Sequence, residues 1–251
     1  MNLALRYFIE ISYKGSAYHG WQIQPNAISV QEVFNKALKV ILKKDIETLG
    51  CGRTDTGVHA SQFYLHLDLD EEITDREKMI RSLNAILPQD IAVKNILKVS
   101  KDAHARFDAT LRSYEYHIHF KKNPFKTDSS WLLRNELDIS VMNKAAKIIL
   151  EYQDFGAFCK ANADNFTNLC EVSRSEWEVK EDEIIYHISA NRFLRNMVRA
   201  IVGTLVEVGN GKLKPEAMHQ IIQSQNRSEA GVSVPACGLF LTAVHYPYIK
   251  N

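Results

Sequence analysis

Apolar and polar residues alternate from Tyr7 to Tyr13, with aromatic and β-branched side chains throughout, which predicts a half-buried strand. The period then lengthens. Ser29 and Glu32 have capping-box spacing, and Val30, Val33, Phe34, Ala37, Leu38 and Ile41 fall on one helical face. Thr74 and Glu77 repeat the box ahead of Met79, Ile80, Leu83 and Ile86, and Leu87-Pro88 ends that second helix. Strands are predicted at 62–67 and 91–99, so the first ~100 residues read β-α-β-α-β.

The second half opens on another alternating strand, in which Tyr114, Tyr116, Ile118 and Phe120 face away from Ser113, Glu115, His117 and His119. A helix at 141–151 follows, then a hairpin of 172–180 and 184–190 across Glu181-Asp182-Glu183. An arginine-bearing helix at 194–208, a helix after Pro215 and a strand at 239–244 complete the chain. The halves, 1–103 and 104–251, resemble each other as strand–helix–strand modules, an α+β architecture with pseudo-duplication. Lys121-Lys122-Asn123-Pro124 reads as a loop, and 161–168 as a polar stretch without periodicity.

At 251 residues, 45% hydrophobic and 24% charged, the composition is that of a globular protein with a real core. No apolar run is long enough to cross a bilayer, and Met1 to Tyr7 lacks the pattern of a signal peptide, reading instead as the lead-in to a strand. Cys51, Cys159, Cys170 and Cys237 are scattered, with no metal-ligand spacing, as expected of free thiols in a reducing cytoplasm. A net charge of +1 means that a nucleic-acid partner would need a local basic surface. Such a surface is available between Ile184 and Val206, where Arg192, Arg195 and Arg199 occur without a carboxylate.

Three elements carry candidate chemistry. The first is Cys51-Gly52-Arg53-Thr54-Asp55-Thr56-Gly57-Val58-His59-Ala60, where flanking glycines predict a tight turn that aims Arg53 and Asp55 outward. A charged surface turn has the same look. A carboxylate beside a guanidinium stays ionised, which suits a nucleophile or electrostatic partner and not a general acid. The second is Tyr114, at the polar start of its strand, where a ring can reach a cleft and stack on a base; Tyr116 reads as core. The third is the arginine-bearing helix, predicted to carry Arg192, Arg195, Asn196 and Arg199 on one side and Leu194, Met197, Val198, Ile201 and Leu205 on the other. Gly203 within it costs ~1 kcal/mol against alanine and points to close packing on another backbone.

The stretch from Gly52 to Ala60 resembles the catalytic signature of the tRNA pseudouridine synthase A family. Tyr18-His19-Gly20-Trp21-Gln22, Val30-Gln31-Glu32, Leu87-Pro88-Gln89-Asp90-Ile91, His104-Ala105-Arg106-Phe107, Met197-Val198-Arg199 with Ile201-Val202-Gly203, and Gly238-Leu239 are similar to its further blocks in order. Gln153-Asp154-Phe155, Ala103 and Arg195 depart from the usual pattern. The resemblance implies two ferredoxin-like halves with sheets joined around a central RNA-binding cleft. It implies isomerisation of uridine to pseudouridine in tRNA, typically at positions 38, 39 and 40 of the anticodon stem-loop, with no cofactor and no metal.

It further implies Asp55 as the catalytic residue, with Arg199 holding it ionised, Tyr114 stacking on the target uracil and Arg53 filling the space left by the flipped base. Arg106, Lys121, Lys122, Arg192 and Arg195 are the expected phosphate contacts. The implied assembly is a cytoplasmic homodimer. Three other readings compete with this one. An aspartic hydrolase built on Asp55-Thr56-Gly57 needs two aspartates sharing a proton, and Arg53 opposes that. A non-catalytic RNA-binding module has no use for Asp55 on a rigid turn. A metal site of Asp55 and His59 lacks further ligands.

Overall fold

The computed structural model describes residues 5–160 and 166–250, a mixed α/β structure with nine strands and five helices among them. The residues before Leu5 and most of the polar stretch 161–168 lie outside the described residues. The chain divides into two compact units, Met1–Thr110 with Leu241–Asn251, and Leu111–Phe240. The last segment thus belongs with the first unit, not with the half that follows residue 104.

In the first unit, β1 (Leu5–Tyr13), α1 (Val30–Leu42), β2 (Leu49–Gly50), β3 (His59–Leu69), α2 (Arg76–Ile86) and β4 (Ile91–Lys98) follow in order. The sheet runs β4-β1-β3, antiparallel, with β2 also on β3. The two-residue β2 was absent from the sequence reading, because so short a strand has no period to detect. Tyr7, Ile9 and Ile11 alternate into the core as predicted. Phe8, on the opposite face, is buried too, since His66 stacks on it and Tyr246 meets it edge-on at 5.2 Å.

The cap of α1 is the predicted one: Ser29 accepts from the Glu32 N–H at 3.2 Å. Glu32 pairs with Lys36 one turn on. The cap of α2 lies one residue beyond Thr74, at Asp75, which accepts from the Lys78 N–H at 2.8 Å. An aspartate competes well with threonine for that position, so the box was read one step early.

The second unit contains β5 (Leu111–His119), β6 (Trp131–Leu132), α3 (Ile139–Ile149), β7 (Val172–Val179), β8 (Glu183–Ala190), α4 (Met197–Gly209) and α5 (Ala217–Ser224); β9 (Leu239–His245) is the last element among the described residues. Its strands lie in the order β5-β8-β7, with β6 parallel to β5. Tyr116 and Ile118 are buried as predicted.

The arginine-bearing helix is shorter than its sequence suggests. Asn196 adopts φ +67 and caps α4, so Arg192 and Arg195 precede the helix and do not share a face with Arg199. Asparagine tolerates the left-handed region, and a residue there cannot continue the helix. Nor is α4 amphipathic in the expected way. From Met197 to Gly209 all but Arg199 and Glu207 are buried, the signature of a central helix. Gly203 meets its expectation: a Cβ there would run into the Val232 carbonyl.

Candidate active site

The loop that carries Asp55 connects β2 to β3, and it is fastened from both ends. At its start the Cys51 N–H donates to the Tyr64 carbonyl at 2.7 Å. At its end the Val58 N–H donates to the Asp55 carbonyl at 3.1 Å, closing a turn with Gly57 at φ +80. That is the pattern of a type II turn, whose third position requires a positive φ and so favours glycine. Gly52, by contrast, lies outside the left-handed region, and a Cβ on it would meet nothing within 4 Å. Only one of the two flanking glycines is therefore demanded by backbone conformation.

A second segment, Gly15 to Trp21, clamps the loop from the side. The Trp21 N–H donates to the Thr54 carbonyl at 3.3 Å, and the Gly57 N–H donates to the Tyr18 carbonyl at 3.2 Å. Gly20, at φ +83, lies so close beneath the loop that a Cβ would strike the Thr54 oxygen. Gly15 lies equally close to the Val58 carbonyl, and its N–H donates to His59 Nδ1 at 3.0 Å. Buried Thr54 shares a hydrogen bond with the Tyr13 hydroxyl at 2.9 Å. Tyr18 is itself fixed by donating to Asp90 at 2.6 Å, so its hydroxyl is held well above the usual range by burial and by that carboxylate.

These bonds leave Thr54, Val58 and His59 buried, Asp55 half-buried and Arg53 exposed. The cation and carboxylate are thus presented from a backbone with little freedom to move. His59 is occupied as an acceptor for Gly15 and serves the loop's packing. The clamp was not assigned a role in the sequence reading, although Tyr18-His19-Gly20-Trp21-Gln22 was among the recognised blocks. Its contribution is made by main-chain groups, which side-chain chemistry does not announce.

The other two predicted elements belong to the second unit. Tyr114 lies on β5 opposite Ile188 and is partly exposed. Phe193 meets its ring edge-on at 5.1 Å, fixing the plane of the tyrosine. Tyr116, two residues on, is sealed in the core and donates to the Pro235 carbonyl at 2.8 Å. Burial holds its hydroxyl far above the ordinary range, so the two tyrosines differ sharply in availability.

Arg199 occupies the first turn of α4, where its Nε donates to the Val234 carbonyl at 2.7 Å. The segment it grips is tied along the same helix. Asn196 donates to Ser233 at 2.6 Å, and the Gly231 N–H donates to Thr204 at 2.8 Å. The glycines at 203 and 231 permit this contact, since a Cβ on either would strike the other backbone. Arg199 is consequently a positioned cation; Arg195, Lys121 and Lys122 are exposed. Arg192 is turned toward the Thr167 carbonyl at 3.2 Å.

The family model for tRNA pseudouridine synthase matches residues 10–108 and 145–247, and the chain belongs to that family. The Asp55 loop falls within the first matched segment, and Arg199 within the second. The chain is 51% identical to tRNA pseudouridine synthase A of Bacteroides fragilis, with 96% of each chain covered. The same protein of Bacteroides thetaiotaomicron is 49% identical, covering 96% of this chain and 91% of that one. That of Exiguobacterium sibiricum is 33% identical over 98% of both. Within the family the chain groups with tRNA pseudouridine synthase A, and it is an isomerase of the pseudouridine synthase type.

Proposed function

We propose that the chain converts uridine to pseudouridine in tRNA at positions 38, 39 and 40 of the anticodon stem-loop, with Asp55 as its catalytic residue. In this isomerisation the C1′–N1 bond breaks, the uracil turns, C1′ bonds to C5, C5 gives up its proton and N1 gains one, so that no atom is gained or lost. The observation that carries the reading is the mounting of Asp55: a half-buried carboxylate on a turn held by main-chain bonds from two sides. Orientation of this kind is what a reacting group needs, and a misplacement near 1 Å can cost about 100-fold in rate.

Tyr114 supplies a flat ring, already oriented by Phe193, on which the target uracil stacks. Arg53, exposed beside Asp55, fills the helix position that the flipped nucleotide leaves. Arg199 contributes a fixed positive charge in the first turn of α4. No cofactor or metal enters this scheme. The two units are read as ferredoxin-like halves, supported in the first by the order β1-α1-β2-β3-α2-β4 and the arrangement β4-β1-β3 with β2 on β3. The order β5-β6-α3-β7-β8-α4, in which the two-residue β6 is an addition, supports it in the second. The same reading takes the chain to act in the cytoplasm as a homodimer, which light scattering tests.

The functional test is incubation with an unmodified tRNA transcript and chemical mapping of pseudouridine at single-nucleotide resolution. Product at 38–40 with wild-type chain, and a rate lower by ~10⁴-fold for Asp55→Asn, are expected. A variant that keeps a tenth of the rate removes Asp55 from the chemistry.

A further inference from the structure

The loop that follows β4 ends in a side chain whose position its own architecture does not explain. Phe107 is 74% exposed, yet the backbone around it is tied by several hydrogen bonds. The Arg106 and Phe107 N–H groups both donate to His104 Nδ1, at 3.1 and 3.2 Å. The Ala105 N–H donates to His66 Nδ1 at 3.1 Å, and the Ala105 carbonyl accepts from the Tyr246 hydroxyl at 2.6 Å. Asp108 accepts from the His104 N–H and from the Tyr248 hydroxyl, each at 2.8 Å. A free phenylalanine usually folds back onto apolar surface, because burying it gains about 1.5–3 kcal/mol. Here the loop holds it outward.

The ring is also the end of a column. Phe8 in the core stacks on His66 at 6.0 Å and 22°, His66 meets His104 edge-on at 4.8 Å and 67°, and His104 lies against Phe107 at 4.3 Å and 31°. One face of Phe107 is thereby backed by an imidazole, while the Arg106 guanidinium lies over the ring, 5.7 Å from its centroid, and would have to swing aside to admit a base. Both imidazoles accept backbone N–H bonds through Nδ1, so the column is intact when they are neutral.

We infer that Phe107, backed by His104 and flanked by Arg106, is a stacking platform for an unpaired base of the RNA substrate, with the phosphodiester of that nucleotide at Arg106. A nucleobase is the next ring such a column accepts, and base–aromatic stacking beside a cation is how unpaired strands are gripped without sequence preference. The imidazole that supports the platform lies well along β3 from the Asp55 loop. His66 is seven residues along β3 from His59 at the end of that loop. At the rise of an extended strand, that is about 23 Å. The platform acts on binding and not on the reacting atoms. The inference rests on the reading that the chain acts on tRNA.

The test measures binding apart from turnover. Affinity of the full chain for an unmodified tRNA transcript is measured by filter binding for wild type, Phe107→Ala, Phe107→Leu and Phe107→Trp, with melting curves confirming that each is folded. Loss of a stacked base corresponds to about 5- to 150-fold in Kd. Phe107→Ala and Phe107→Leu are expected to lose that much, although leucine keeps the apolar bulk, whereas Phe107→Trp stays within a few-fold. The single-turnover rate should recover once enzyme exceeds the raised Kd. Equal affinity for all four proteins overturns the inference, as does a fall in saturated rate with unchanged Kd. A changed oligomeric state on light scattering, with RNA affinity intact, overturns it in favour of a protein contact. Absence of pseudouridine formation by wild type would defeat the proposed function alone, because Phe107-dependent binding is read independently.

Discussion

Two glycines next to the same loop make opposite predictions. Gly20 lies at φ +83, and a Cβ on it would press into the Thr54 carbonyl, one residue before Asp55. Gly52 has neither constraint. In Gly20→Ala the left-handed backbone alone costs roughly 1–2 kcal/mol, and relief of the contact adds roughly 1–3 kcal/mol of packing strain. The total, about 2–5 kcal/mol, should appear as a lower melting temperature. The larger effect is on position. A carbon and a carbonyl oxygen come no closer than about 3.3 Å without strain, so the loop must withdraw by about 1 Å. Displacement of that size costs about 100-fold when it moves a reacting group. The expected result is a single-turnover rate on tRNA transcript lower by about 100-fold for Gly20→Ala and within a factor of two for Gly52→Ala. A folded Gly20→Ala enzyme within threefold of wild type would refute the clamp. So would equal damage from both substitutions.

Other outcomes follow from other contacts. Gly203→Ala gains roughly 1 kcal/mol of helix propensity but collides with the Val232 backbone, so a net loss of about 1–2 kcal/mol is expected; a raised melting temperature would contradict the close approach. His66 is held down to about 4 by burial first, then by Arg6 and His104. Because the unfolded imidazole binds its proton near 6.5, stability is complete above that pH and falls between 6.5 and 4, by about 2–3 kcal/mol after allowance for partial solvation. Melting curves across this window should lose much of their pH dependence in His66→Asn, whose amide oxygen can accept from Ala105; an unchanged slope would show that another group titrates. Tyr114→Phe keeps the ring against Phe193 and should preserve tRNA affinity, while Tyr114→Ala should weaken it by about 1–3 kcal/mol in filter binding. Unimpaired Tyr114→Ala would make Tyr114 an ordinary strand aromatic.

The elements with strong local period were legible before any coordinates. Alternation in β1 and β5, the apolar face of α1 and its Ser29 cap are properties of neighbouring residues, and neighbours are what a sequence displays. The Asp55 loop was legible for a similar reason, since its unusual residue types are contiguous. Most of what the sequence does not display is decided at a distance. β2 exists only because Leu49 and Gly50 find β3. Phe8 is buried by residues more than two hundred positions away. A single left-handed dihedral at Asn196 removes Arg192 and Arg195 from α4 and leaves Arg199 as its one arginine. The rigidity of the Asp55 loop is likewise tertiary. It comes from carbonyls and N–H groups of Gly15 to Trp21, and every residue carries those groups, so no side-chain pattern marks the ones that are used. The sequence by itself determined which side chains the loop carries; only the fold decided how its backbone is held.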